Sequence, residues 1–107
     1  MDAGTTDDGT TSLFVAAQEG HVAVIEKLFA AGIDVDKATT DDGTTPLYMA
    51  ADSGHTSTVE KLIAAGADVD KARTTDGATP LLIAAQKGHT STVKKLIAAG
   101  ADVDKAQ

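Results

Sequence analysis

The sequence predicts an all-α repeat solenoid, a row of stacked helix–turn–helix units with loops projecting to one side. Residues 54–72 read GHTSTVEKLIAAGADVDKA, and residues 88–106 repeat them with one exchange, Glu60 for Lys94. Self-similarity at a fixed period of this length is typical of repeat architectures. The same spacing of 34 residues relates Gly9 to Gly43 and Gly77, and Leu13 to Leu47 and Leu81.

The repeat divides the chain into three units, which we predict to form a single domain over residues 1–107. The units cover residues 6–39, 40–73 and 74–107. A chain of this length is one domain by size. Two helices of about two turns each are unstable alone. Each unit is therefore expected to bury its apolar faces on its neighbours.

The middle unit shows the elements that every unit predicts. It opens with an Asp-Asp-Gly turn, in which Gly43 supplies a positive φ. Thr45 is an N-cap candidate before Pro46, which suits the first helical position. One helix is predicted over residues 46–53 and a second over residues 57–65, where apolar residues recur at helical spacing. Left-handed helix caps are expected at the glycines that follow, Gly54 and Gly66.

Composition excludes several classes of protein. The chain has no cysteine, so disulfides, thiolate metal sites and a cysteine nucleophile are excluded. Acidic residues outnumber basic ones 16 to 9, for a net charge of −7, which argues against nucleic-acid binding. No apolar run approaches the roughly 18 residues of a membrane helix. The acidic N-terminus is unlike a signal peptide. The compartment is therefore unknown, and an intracellular one is favoured.

Four motifs recur in order in the middle unit: GTTPL at 43–47, AA at 50–51, GH at 54–55 and GADV at 66–69. They resemble the ankyrin repeat, and all three units match its pattern. The resemblance implies projecting β-turn or hairpin loops and a non-catalytic protein–protein interaction module. The spacing is 34 rather than the family's usual 33, so the loop is expected to be one residue longer. Where the family usually has histidine after T-P-L, the chain has Phe14, Tyr48 and Leu82.

Units two and three differ at only a few sites, which separates scaffold from variable surface. Two exchanges, Tyr48 for Leu82 and Met49 for Ile83, are hydrophobic and are interpreted as packing. By the resemblance, the loop and the end of the first helix line a concave partner-binding groove. The alternative is that surface sites simply drift. The candidate partner contacts are Asp7, Asp8, Thr10, Gln18, Glu19, Asp41, Asp42, Thr44, Asp52, Ser53, Thr75, Asp76, Ala78, Gln86 and Lys87.

Charge is divided unevenly along the chain. Residues 1–39 carry seven acids and two bases, a net charge of −5. Residues 40–73 carry six acids and three bases, whereas residues 74–107 carry three and four. This gradient predicts a protein partner that is basic or polar toward the first two units. Ordinary solubilising charge is the alternative for any single residue.

No constellation of side chains predicts catalysis, a metal or a cofactor. His21, His55 and His89 recur once per unit, and stacked helices about 8–10 Å apart do not bring them onto one metal. They are interpreted as ties from the second helix to neighbouring backbone. The Asp68-x-Asp70 motif lacks the third oxygen ligand of a calcium loop, since Ala72 stands there. No nucleophile and base stand apart from the repeat, so an enzyme is not expected.

The terminal units lack the polar outer faces that cap a solenoid. The first unit carries the apolar run Val22–Ile25 where the later units have Thr-Ser-Thr-Val. We therefore expect a fragment of a longer array or an engineered minimal one. The alternative function is a structural or scaffolding segment that stacks, or weakly self-associates end to end, through its uncapped ends.

Overall fold

The computed structural model describes residues 12–39 and 41–104, which form six α-helices and, within those ranges, no strand. The predicted projecting loops are therefore tight turns here. One helix pair falls in each predicted unit, while the unit boundaries and the single domain stay predictions. The helices are α1 Ser12–Glu19, α2 Val22–Ala30, α3 Pro46–Ser53, α4 Thr56–Ala64, α5 Pro80–Lys87 and α6 Thr90–Ala98.

The starts and ends of the first helices are those that the sequence predicts. The hydroxyl of Thr45 accepts a hydrogen bond from the backbone N–H of Tyr48 at 3.1 Å, and Thr79 does the same for α5. Proline occupies the first turn of both helices. Helix α3 ends at Gly54, which is left-handed with φ of +75°. Local capping chemistry thus fixes these helices within a residue.

The second helix begins and ends one residue earlier than predicted, over Thr56–Ala64 rather than 57–65. The correction follows from the backbone. His55 is the N-cap residue, and its carbonyl already accepts the N–H of Val59 at 3.0 Å. At the other end Ala65 precedes Gly66, whose positive φ lets the N–H of Ala67 reach back to Leu62 at 3.0 Å. This is the closing hydrogen bond of a Schellman motif.

The core is a stack in which each helix pair packs against the next. Helix α1 packs on α3 and α3 on α5, while α2 packs on α4 and α4 on α6. Alanine pairs on the first helices allow this close approach, and Ala50 and Ala51 are fully buried. The leucine of each first helix is buried in the first two units, and Leu62 and Leu96 are buried on the second helices. The apolar stripes read from the sequence therefore form one continuous core.

Histidine side chains join neighbouring units. The Nε2 atom of His55 lies 3.0 Å from the carbonyl oxygen of Gln18, and that of His89 lies 3.0 Å from the carbonyl oxygen of Asp52. The interpretation of these histidines as ties to neighbouring backbone is confirmed for both. The ring of His55 also packs over Gly20, which follows α1, and the ring of His89 packs over Gly54, which follows α3.

One buried hydroxyl between the units lacks a partner. Between the second and third units, the hydroxyls of Thr56 and Thr92 lie 3.1 Å apart. The equivalent contact between the first and second units would join residue 22 to Thr58, but residue 22 is Val22. Thr58 Oγ1 is consequently buried with no hydrogen-bond partner. The two junctions share apolar packing but differ in this hydrogen bond.

Replacing Gly54 by alanine should destabilise the chain more than the same change at Gly88. Both glycines have a positive φ, +75° and +76°, so alanine costs about 1–2 kcal/mol at either position. A Cβ at Gly54 would lie 2.8 Å from the ring of His89, whereas one at Gly88 meets nothing within 4 Å. Urea titration should show a further loss of about 1–3 kcal/mol for Gly54→Ala. Equal losses would mean that His89 moves aside without cost.

Thr58→Val should leave the free energy of unfolding unchanged or raise it by about 1 kcal/mol, because it removes a buried hydroxyl that has no partner. Thr92→Val, the same change in the next unit, should lower it by about 0.5–1.5 kcal/mol because Thr56 loses its partner. Chemical denaturation of the two variants beside the parent chain measures both effects. The opposite order of stability would contradict this account of the two junctions.

Candidate partner-binding surface

The candidate contacts on the helices form one row. Because α1, α3 and α5 pack side by side, the last two residues of each helix are neighbours across the stack. Asp52 is half-buried. Three of the predicted contacts, Asp7, Asp8 and Thr10, lie outside the described residues. The exposed members of the row are Gln18, Glu19, Ser53, Gln86 and Lys87.

The candidate contacts on the loops divide into exposed and buried side chains. Asp41, Thr75 and Asp76 are exposed. Thr44 and Ala78 are only 3% and 6% exposed, so their side chains offer almost no surface to a partner. Both lie just before a first helix and pack into the base of the turn. Their exchange between units reflects the interior of the loop, which a comparison of sequence copies does not distinguish from its surface.

Asp42 stabilises the loop between α2 and α3 through its hydrogen bonds. Its Oδ1 accepts hydrogen bonds from the hydroxyls of Thr39 at 2.7 Å and Thr44 at 2.6 Å, and from the N–H of Thr44 at 3.2 Å. The hydrogen bond from Thr44 is the main cause that lowers the pKa of Asp42 from 3.8 to about 2, with Thr39 next and Arg73 a smaller cause. The hydrogen bonds of the Asp42 carboxylate are therefore made within its own loop, which they stabilise.

Arg73 connects this loop to the next one. Its guanidinium lies 5.1 Å from the centre of the Tyr48 ring and 3.9 Å from the carboxylate of Asp42. Its Nε is 3.5 Å from Asp76. Burial raises the pKa of Tyr48, which the nearby guanidinium opposes. The backbone adds a further link, since the N–H of Thr74 donates to the carbonyl of Asp42 at 2.9 Å.

Sequence comparison missed the role of Arg73, although a signal was present. Where the second unit has Tyr48 and Arg73, the third has Leu82 and Gln107. The aromatic ring and the cation that lies over it are exchanged together. Tyr48 is indeed buried, in agreement with its interpretation as packing, but it also receives a hydrogen bond from Arg73 at 3.4 Å.

Charge on the row of helix ends is partly neutralised. Lys87 Nζ lies 3.0 Å from Asp52 Oδ1, so the single base of the row pairs with the acid of the neighbouring unit. The exposed acids around this pair are Glu19, Asp41 and Asp76. Among the acids of this surface, Asp42 and Asp52 are half-buried, whereas Glu19, Asp41 and Asp76 are exposed, Asp76 with Arg73 at 3.5 Å.

The described part of the chain contains neither a cluster of metal-binding side chains nor a helix that could span a membrane. Within residues 12–39 and 41–104, no group of three or more His, Asp or Glu side chains is arranged to hold a metal ion. None of the helices in these ranges has the length and apolar character needed to cross a membrane. The enzyme, metal and cofactor expectations stay predictions.

Comparison with known proteins agrees with the geometry. A family model described as ankyrin repeats (3 copies) matches residues 13–107, which is most of the chain. No curated protein matches it.

Asp42→Asn should flatten the acid dependence of stability. Because the folded pKa is about 2 and the ordinary value 3.8, ionised Asp42 stabilises the fold above about pH 4, and this contribution is lost as the pH falls toward 2. The variant should lose about 1–2 kcal/mol at neutral pH, after allowance for solvent screening. Asp76→Asn is the matched control, since Asp76 lies beside the same Arg73 guanidinium but accepts one loop hydrogen bond, from the N–H of Ala78, where Asp42 accepts three. Unfolding titrations from pH 7 to pH 2 that give equal losses for both variants would contradict the assigned role.

Proposed function

The chain belongs to the ankyrin-repeat family, whose repeats are generally non-catalytic protein–protein interaction modules, and we propose that it binds a protein partner on one defined surface. We call this surface the groove face. It consists of the C-terminal ends of α1, α3 and α5 together with the turns at 41–43 and 75–77. The proposal has no catalytic step, metal or cofactor, and recognition rests on shape and charge.

One observation carries the proposal. The last residue of each first helix is exposed and differs in every unit, as Glu19, Ser53 and Lys87, while the alanine pair that precedes the last two positions is the same in all three. A constant layer that packs the helices therefore presents a row of side chains that changes. Surfaces of this kind support specific contacts without disturbing the fold beneath them.

The charge of the groove face favours a basic or polar partner. Glu19 and Asp41 lie in the first two units and are exposed, and Asp76 adds a third acid in the next loop. Lys87 does not offset them freely, because it pairs with Asp52. Exposed acids of this kind chiefly raise the rate of association with a cationic surface and make it dependent on salt.

The second candidate function is that of a segment that stacks on further repeats or on itself. The observation that favours it is apolar exposure at both ends of the stack. Val24 is 48% exposed on the first unit, while Ile97 is 48% and Val103 is 62% exposed on the last. In the middle unit the residues equivalent to these are more buried, since units lie on both sides.

Removing the outward acids of the groove face should weaken partner capture. The test uses the immobilised chain with a cell lysate and then measures affinity for the captured protein. Glu19→Gln with Asp41→Asn should weaken binding about fivefold or more, because two rim charges are lost.

The matched control is Asp34→Asn with Asp104→Asn, which changes the net charge equally away from the groove face and leaves the ion pairs between the units intact. It should leave the affinity within about twofold. Full affinity in the groove variant, with loss in the control, would place recognition elsewhere and favour the stacking function.

A further inference from the structure

The outer side of the third unit repeats an interface that the chain already uses. We call it the C-terminal face. In the middle unit, Ala51 and Val59 are fully buried against the third unit. Their counterparts Ala85 and Val93 line an open apolar cleft on the third unit, and Ala85 is exposed. Leu81, Leu82, Ile97 and Val103 complete the cleft.

A charge pair accompanies this interface each time it is formed. Lys61 Nζ lies 2.8 Å from Glu26 Oε2, and Lys95 Nζ lies 2.7 Å from Glu60 Oε2. In both pairs an acid on the second helix of one unit meets a lysine on the second helix of the next. On the C-terminal face, the position of these acids is held by Lys94. The one exchange within the nearly identical 19-residue copy therefore reverses the charge of the interface.

The hydroxyl contact between second helices extends the same pattern. Thr56 of the middle unit meets Thr92 of the third. On the C-terminal face the equivalent donor is Thr90, which is exposed. The residue of the first unit that corresponds to Thr92 is Val24, which has no hydroxyl.

A second copy of this chain would meet the C-terminal face with the wrong charge. In the register of the two existing interfaces, Lys27 of the incoming copy would take the place of Lys61 and face Lys94. Both lysines are exposed, so neither is engaged in a buried contact. Like charges at this position destabilise the contact, where opposite charges stabilise it.

Two other links of the same register would be satisfied, although the hydroxyl contact would be lost at Val24. The carbonyl of Gln86 corresponds to that of Asp52, which the His89 ring approaches, so it can accept from the corresponding histidine. Asp104 corresponds to Asp70, which accepts the N–H of Asp102 at 2.9 Å. The junction of the first two units also lacks the hydroxyl contact and still forms, so Lys94 is the position of this register that opposes a second copy.

We propose that the C-terminal face docks a repeat unit whose second helix carries Asp or Glu where this chain has Lys27, and that Lys94 makes the face reject a second copy of this chain. The apolar cleft supplies the contact area, as its copies do inside the stack. The charge at position 94 selects the occupant. This surface is separate from the groove face.

Charge reversal of each lysine in turn tests the selection. Lys27→Glu gives a second copy the required acid, and Lys94→Glu restores the acid of the existing interfaces. Either single variant should associate end to end with an association constant about fivefold or more above that of the parent chain. The double variant places Glu opposite Glu and should return to the parent's behaviour. Sedimentation velocity over a concentration series measures all four chains.

Lys71→Glu is the matched control, because it changes the net charge equally in the middle unit. It should associate no more than the parent chain, and about 0.5 M salt should remove the gain of the single variants. Thermal unfolding followed by circular dichroism checks that every variant is folded. The proposal is overturned if folded single variants associate no more than Lys71→Glu, or if the parent and double variant associate as strongly as the singles. Either result leaves the groove-face proposal standing, since its variants lie elsewhere.

Discussion

Burial of each helix pair against the next is the interaction on which the whole structure depends. Helices of eight or nine residues are too short to be stable alone. Their apolar stripes are covered only when units stack, and the small side chains of Ala50 and Ala51 allow the helices to approach closely. The links between units, such as the His89 ring on the carbonyl of Asp52, then fix the register of a contact that apolar packing alone would specify loosely. The groove face and the C-terminal face are both formed by that stacking.

Much of the fold follows from residues that act locally. Thr45 and Pro46 start a helix and Gly54 ends it, and each does so through its own backbone geometry, so sequence alone locates α3. The predicted start of the second helix was one residue too late, because His55 caps the helix through its backbone carbonyl, without a side-chain hydrogen bond. No residue type signals such a cap. The order of stacking was predictable because each unit carries the same apolar positions.

The candidate site was less predictable because its chemistry joins residues that are distant in the chain. Comparison of copies found the variable helix ends but also selected Thr44 and Ala78, which are buried. Variation between copies arises wherever a local network differs. The network around Asp42 needs the hydroxyls of Thr39 and Thr44, and the next loop has Arg73 and Ala78 in their places. Arg73 acts across 25 residues on Tyr48. Only a three-dimensional arrangement shows that such residues form one cluster.

The bond from the N–H of Thr74 to the carbonyl of Asp42, together with Arg73, makes two successive loops a single mechanical unit. A partner that touches both turns meets a surface already held in one arrangement. Ordering of a flexible loop on binding costs conformational entropy, and that cost is reduced where the loops are tied in advance. A larger part of the contact free energy at these turns is consequently retained in the free energy of binding. The same tie limits adaptation, so partners of a different shape are discriminated against by rigidity as well as by charge.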